Sequence, residues 1–414
     1  MLYHGCDSAA RSFDHSKPKD SVADTINNKA SKPTNQSSLL AVQSDCTLYY
    51  TVERSTFVSS LLFRPTCFAF ATMTSKGAAG NDMSIEDQRA KCNMVYRESI
   101  APGLTLEMDL KGILASKESQ FQKVEILSTY FGKTLITDGK TQSAEFDEFA
   151  YHESLVHPAM LKAITGGPVK RVFIGGGGEL ATAREVLRYS CVEKVVMVDL
   201  DEVVVDFCRE HLPEWGGETV TSNARFDLVI GDAFKYLNET KDKFDVIIMD
   251  ISDPIEAGPG IMLYTKEFYD HAKTLLSPHG VFVTQAGTAE SVPAAVVTVA
   301  GTEDPSCFAP IANTLGAVFS ATIPYSTNIP SFGGDWGFVM AFENSSIEAV
   351  ASWKSPEAGK IDTLVTEHII GGSEALKFYD GVSHMRMFHL VKPLRSYMNK
   401  DNRVMTRDNP VFMY

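Results

Sequence analysis

The sequence predicts an α/β protein, a doubly wound and largely parallel sheet preceded by a small antiparallel β domain. Three observations predict it. From Val169 onward, short runs that are apolar throughout alternate with segments whose apolar residues recur at helical spacing. Strands apolar on both faces belong to parallel sheets with helices on each side. Upstream, segments of alternating polarity surround an Asp138-Gly139 hairpin signal, the pattern of a half-buried antiparallel sheet.

The elements follow in chain order. Residues 1–95 are rich in Ser, Thr, Asn, Lys and Asp, as in HSKPKDSVADTINNKASKPTNQSS, and read as a disordered extension that cannot bury enough apolar area to offset its chain entropy. One apolar patch interrupts it, FVSSLLFRPTCFAFA (57–71), too short to span a bilayer and far from Met1, where a targeting signal begins. Residues 100–145 form the β domain, with strands in LTLEMDL, FQKVEILST and GKTLITDG. The catalytic domain covers 146–343. It opens with a helix in FAYHESLVHPAMLKAI. Strands follow in VKRVFIGG, KVVMVDL, FDLVIGD, FDVIIMD and VFVTQAG, separated by the helices ATAREVLRYS, EVVVDFCREHL, AFKYL and KEFYDHAKTLL. AVFSATIPYS (317–326) and WGFVMAFE complete the sheet, and 344–414 is a C-terminal extension packed on it.

Acids outnumber bases 52 to 38, a formal charge of −14. That balance argues against nucleic acid, whose phosphates seek basic grooves, and suits solubility or a cationic ligand. The seven cysteines are odd in number and lack C-x-x-C spacing, so neither a disulfide framework nor a zinc site is indicated and a reducing, cytoplasmic compartment fits. Organelle targeting by the extension stays open, and no run reaches the ~20 residues of a membrane span.

Ligands of open parallel sheets bind beyond the carboxyl ends of the strands, so the residues there are the candidates. After the first parallel strand stands Gly175-Gly176-Gly177-Gly178-Glu179. A carboxylate at that helix start would repel a pyrophosphate and welcome a cation; it also complements the helix dipole. After the second strand come Asp199, placed to accept from ribose hydroxyls, and Asp201, a helix N-cap. Asp232 and Ala233 follow the third strand, with Asp232 either facing an adenine amine or capping a helix. Asp250-Ile251-Ser252-Asp253-Pro254 follows the fourth; its two acids suit a cationic amine, and Ser-Asp-Pro is also turn chemistry. Together these sites describe a nucleoside pocket with an acidic far end, without a phosphate cradle or metal set.

Over 119–343 the chain resembles the polyamine aminopropyltransferases, the spermidine and spermine synthases. The motifs are FQKVEIL, ITDGKTQSAEFDEFAYHE, GGGGE followed by ARE, VDLDE, GDAFKYL, MDISDP and LYTKEFY, in the same order and spacing. YHE in place of YQE, Glu179, Asp199, VTQAG, IPSFGGDWGFVMA and the tail are similar to plant-type thermospermine synthases. The resemblance implies a Rossmann-like sheet of the class I S-adenosylmethionine-binding type. It implies transfer of the aminopropyl group of decarboxylated S-adenosylmethionine, a co-substrate, to a polyamine, with no cofactor or metal and a homo-dimer or homo-tetramer. By position, Asp250 matches the proton acceptor, with Tyr151 beside it. Gln122, Glu179, Asp199, Asp232 and Ala233 match donor-binding positions, and His152, Asp253, Phe332 and Trp336 acceptor-binding ones. Leu180 stands where the family turn commonly has glycine.

The chemistry explains these residue types. Amines with a pKa near 10 are mostly protonated at neutral pH and cannot attack, so a carboxylate must take the proton. Glu179 would exclude intact S-adenosylmethionine, whose extra carboxylate facing it costs roughly 4 kcal/mol at 4 Å and an effective dielectric of 20. Spermidine to thermospermine is the expected conversion; the alternatives are spermidine or spermine synthesis on the same machinery, and methyl transfer from S-adenosylmethionine.

Overall fold

The structure, a computed structural model, describes residues 94–413 except 102–103, 256–257, 259, 291–305 and 344–345. The expectations for the polar extension, for the apolar patch 57–71 and for Cys6, Cys46, Cys67 and Cys92 lie outside those residues.

Six strands come first: β1 (Val95–Ala101), β2 (Leu104–Asp109), β3 (Gly112–Glu118), β4 (Lys123–Thr129), β5 (Gly132–Thr137) and β6 (Lys140–Ala144). All pair antiparallel, β1 with β2 and β3 to β6 as a four-stranded meander. The β5–β6 turn places both Asp138 (φ 48°) and Gly139 (φ 74°) in the left-handed region, as a two-residue hairpin of the primed type requires. β1 and β3 are legible only in hindsight: most side chains of β3 stay exposed, and β1 alternates in burial but spends one inward position on the acid Glu98, so its polarity does not alternate.

Helix α1 (Glu148–Gly166) leads into the main sheet, built from β7 (Arg171–Gly176), β8 (Lys194–Asp199), β9 (Phe226–Ile230), β10 (Phe244–Asp250), β11 (Leu276–Thr288), β12 (Ala321–Ile329) and β13 (Gly334–Phe342). Their order is β12-β13-β11-β10-β7-β8-β9, with β7 to β11 parallel and β13 antiparallel to both neighbours. The helices between them are α2 (Ala181–Leu187), α3 (Glu202–His211), α4 (Gly217–Thr221), α5 (Ala233–Glu239), α6 (Lys266–Leu275) and α7 (Phe308–Gly316).

Both faces of the sheet are buried, and successive residues divide between them. Val172, Ile174, Val246 and Ile248 pack under α1 and α2, while Phe173, Ile247, Met249 and Phe282 pack under α5, α6 and α7. This is why the strands read as unbroken apolar runs. The β domain docks through Val124, Ile126 and Leu135 against Ala181, Val204, Cys208 and Trp215. Among the described residues no helix is long and apolar enough to cross a membrane.

Helices α8 (Ile347–Lys354), α9 (Ala358–His368), α10 (Gly381–Phe388) and α11 (Lys392–Met398) carry the C-terminal extension. It covers one face of the sheet with Trp353, Ile361 and Phe388, then reaches the other with Leu394, Met405 and Met413. Buried Glu153 of α1 anchors it, its carboxylate accepting the backbone N–H groups of Lys377, Phe378 and Tyr379, each at 2.8 Å.

Two expected boundaries move. The helix expected over 181–190 ends at Leu187, because the Arg225 guanidinium donates to the carbonyls of Leu187, Tyr189 and Val192 and satisfies the helix end there. The strand expected to begin at 317 begins at Ala321, since Val318 and Phe319 bond back to Leu315 in the exit turn of α7.

Gly176 marks the tightest approach in the fold. A β-carbon there would sit 2.0 Å from the carbonyl oxygen of Asp250, at a φ of 78°. Gly176→Ala should lower stability by about 1–3 kcal/mol, through overpacking and a strained φ, and displace the end of β10. Urea unfolding measures it, and an unchanged midpoint would show that the strand ends are not locked together.

Candidate active site

The sheet brings the ends of β7, β8 and β10 side by side, and the glycine turn after β7 lets two carboxylates close on its backbone. Gly176 and Gly177 have φ of 78° and 77°. A side chain at Gly177 would reach within 3.4 Å of Asp250 Oδ2, and one at Gly178 within 2.9 Å of Asp199 Oδ2. Leu180 also has positive φ, at 75°, where a left-handed backbone costs a non-glycine residue on the order of 1 kcal/mol. Full burial of its side chain in the core offsets that strain.

Asp250 ends β10 with both oxygens used. Oδ1 accepts the Tyr151 hydroxyl at 2.8 Å and Oδ2 accepts the Thr182 hydroxyl. Burial pushes its carboxyl up to about 6, with the nearby Glu179 carboxylate adding to the shift and the His152 cation opposing it. Tyr151 is buried and its phenol is driven well above its usual range by burial and by Asp250, so it stays a donor.

His152 lies one residue on, wholly buried. Its Nδ1 sits 2.6 Å from the Glu148 carbonyl oxygen and 3.2 Å from Glu148 Oε2, and its Nε2 sits 3.1 Å from Glu179 Oε1. Burial opposes charge on the ring, but the two carboxylates prevail and push it up to about 10. Behind it Arg184 holds Glu148 through both terminal nitrogens, at 3.2 and 2.8 Å. Burial would raise the Glu148 carboxyl, yet the hydrogen bond and charge of His152, aided by Arg184, hold it down at about 2. His152 thus meets the pocket through Glu179 and not through an open nitrogen. Ligand-type atoms of His152, Glu179 and Asp250 all lie within 4.8 Å of one another, an acidic focus for a cation.

At the end of β8, Asp199 accepts the Asp201 N–H at 2.9 Å. Burial pushes it up to about 7, against that hydrogen bond and with help from the Glu179 and Asp201 carboxylates. Asp201 caps α3 by accepting from Val203 N–H, and its other oxygen accepts the Ser119 hydroxyl at 2.7 Å and the Gln122 amide at 3.1 Å. Gln122 therefore ties the β domain to the sheet domain at the rim of the site. Asp232 is exposed and caps α5 through one oxygen, accepting from Phe234 and Lys235 N–H groups. Ala233 packs beside Gly175.

In the turn after β10, Asp253 accepts the Gln285 amide at 3.1 Å, and burial pushes its carboxyl up to about 6 against that bond. The same Gln285 nitrogen reaches the Ile251 carbonyl at 2.7 Å and the Tyr264 hydroxyl at 2.7 Å, while its oxygen accepts from Gly287 N–H and Trp336 Nε1. Trp336 stacks edge-on against Phe332 at 4.7 Å, and Phe332 against Tyr151 at 5.7 Å. Buried Asp147, at the start of α1, fixes the Phe332 turn by accepting both the N–H and the hydroxyl of Ser331 at 2.8 Å. Gln285, Thr182, Glu148, Arg184 and Asp147 escape sequence reasoning. Their roles depend on partners that the fold brings together, and only an unmatched polar residue in an apolar strand, as at Gln285, could have hinted at one of them.

Known proteins carry the same elements in the same order. The Spermine/spermidine synthase domain matches residues 148–351, and the Spermidine synthase tetramerisation domain matches 94–145. A polyamine aminopropyltransferase of Sulfolobus acidocaldarius is 40% identical over 303 residues, 73% of this chain and 92% of that relative. This chain belongs to the spermine/spermidine synthase family. Thermospermine synthase ACAULIS5 of Arabidopsis thaliana, another member, is 39% identical over 325 residues, 77% of this chain and 87% of that one. Among solved members, a spermidine synthase in complex with the transition state analogue AdoDATO superposes with a TM-score of 0.62 at 26% identity, covering 75% of this chain and 96% of its own. The spermidine synthase of Thermotoga maritima gives 0.61 at 25%, covering 74% and 95%. The family assignment makes this chain a polyamine aminopropyltransferase on an α/β fold with an N-terminal antiparallel β domain.

The raised carboxyls have a thermodynamic consequence. Asp199, Asp250 and Asp253 hold protons in the folded state that an unfolded chain releases near pH 4, so the folded state binds more protons between about pH 4 and 7. Their contribution to stability is therefore lost as pH rises through that window. Asp199→Asn should raise the melting temperature at pH 8 by about 2 °C or more and change it little at pH 4. Calorimetry at the two pH values checks it; equal shifts at both would contradict the assignment.

Proposed function

We propose that this family member transfers the aminopropyl group of decarboxylated S-adenosylmethionine to spermidine, yielding thermospermine and 5′-methylthioadenosine. The observation that carries the reading is Asp250, a carboxylate at a strand end with Tyr151 donating to it, facing Glu179 across a gap of less than 4.8 Å. Asp199 would accept from the ribose hydroxyls, with Asp232 and Ala233 beside the adenine and Gln122 at the rim. Glu179 would hold the donor's terminal ammonium. The acceptor nitrogen, in contact with Tyr151, gives its proton to Asp250 and attacks the carbon next to the sulfonium. The new C–N bond forms as the C–S bond breaks, and sulfur departs as a neutral thioether. No metal is needed, because the sulfonium is already a good leaving group; most of the rate enhancement is orientation and proton removal.

The choice of spermidine rests on the aromatic wall. Phe332 and Trp336 continue from Tyr151 to Gln285, which donates to Asp253, an aromatic wall that ends at a carboxylate suited to a second ammonium group. The resemblance to ACAULIS5 supports the same acceptor. A reducing, cytoplasmic setting suits the thiols Cys191 and Cys208. Exposed Leu104, Ile113 and Leu114 on the β domain suit a homo-oligomer, in keeping with the tetramerisation domain matched there.

Asp250→Asn should lower kcat about 10²–10⁴-fold while donor affinity stays within a factor of about three, measured by methylthioadenosine release and by calorimetric titration. Undiminished turnover would remove Asp250 from the chemistry. The parent's rate should fall as pH drops through about 6, where Asp250 gains its proton. Glu179→Gln should bind the decarboxylated donor more weakly, by tenfold or so, and exclude S-adenosylmethionine less. Chromatography resolving thermospermine from spermine and spermidine decides the acceptor; spermine as the main product would replace the proposed isomer.

A further inference from the structure

His152 is a cation set among acids, and hydrogen-bond geometry together with an ionised Glu179 fixes its state. Nδ1 points at the backbone carbonyl oxygen of Glu148 at 2.6 Å, an atom that only accepts, so Nδ1 must carry a proton. Nε2 points at a carboxylate oxygen of Glu179 at 3.1 Å, which accepts when ionised, so Nε2 carries one as well. Charges then alternate along a buried line, from the Arg184 guanidinium through Glu148 and His152 to Glu179, with Asp250 next to the last.

We propose that His152 is a positioning residue, a fixed imidazolium that orients Glu179 for the donor ammonium and holds Asp250 in its ionised form. The functional half of this rests on Asp250 being the base. The groups that face the ring are Glu148 and Tyr151 from α1, Glu179 from the glycine turn and Asp250 from β10, with Arg184 of α2 behind Glu148. Removing the ring's charge leaves Asp250 beside the Glu179 carboxylate with nothing to offset it, so Asp250 takes up its proton at higher pH. Only one Glu179 oxygen is spent on His152, which leaves the carboxylate able to accept from an incoming ammonium.

Two measurements test this. In the donor-free parent at pH 7, nitrogen-15 NMR should show both ring nitrogens of His152 protonated; a neutral tautomer would overturn the proposal whatever Asp250 does. His152→Gln keeps a side-chain N–H for Glu179 but removes the charge. Its kcat/KM profile should have an acid limb moved up by about one pH unit, a roughly fivefold loss at pH 6 that is regained above pH 8. Glu148→Gln should move the limb the same way and less far. A uniform drop in kcat with an unmoved limb would reduce His152 to a structural role and sink the proposal. Failure of Asp250→Asn to slow the parent reaction would remove the base assignment, yet leave the NMR result standing.

Discussion

Anionic side chains are gathered where the strand ends of β7, β8 and β10 meet, and water is mostly kept from them. Two carboxylates with oxygens within 4.8 Å repel by about 3 kcal/mol or more at an effective dielectric of 20. Burial, with repulsion from the Glu179 carboxylate, raises both Asp250 and Asp199 and makes the pocket a standing demand for positive charge. The protein answers part of it internally with His152 and leaves the remainder for a ligand. A polyamine and an aminopropyl donor, both cationic, are the substrates that such a pocket binds most readily.

The rest of the architecture holds this cluster in place. Gly176 locks the end of β7 against the end of β10, and Asp199 needs the bare backbone of Gly178. The β domain does more than offer a surface for association, since Ser119 and Gln122 reach across to Asp201 beside Asp199. The C-terminal extension is fastened to α1 through Glu153, the residue after His152, so its docking and the alignment of α1 are one structural event. Gln285 does the same for the turn after β10, holding Asp253 and the indole of Trp336 together.

Much of this was legible beforehand. Strands β7, β8, β10 and β11 announced themselves because burial on both faces leaves no alternation to misread, and each acid at a strand end falls where parallel sheets bind ligands. Asp138-Gly139 named its own turn, and Asp201 its cap. Strand β3 stayed hidden, since side chains left exposed carry no periodic signal, and β1 because the acid Glu98 takes one of its buried positions. The early end of α2 was hidden too, because it depends on an arginine 38 residues away from the carbonyl it caps.

The sequence by itself determined the sheet, the order of its strands along the chain and the acids at their tips, because those follow from local polarity and short-range spacing. Tertiary structure alone decided the charge on each acid and on His152. Protonation depends on burial and on partners such as Thr182, 68 residues from Asp250, and Glu179, 27 residues from His152. No local pattern encodes such distances; they exist only once the strand ends and α1 converge.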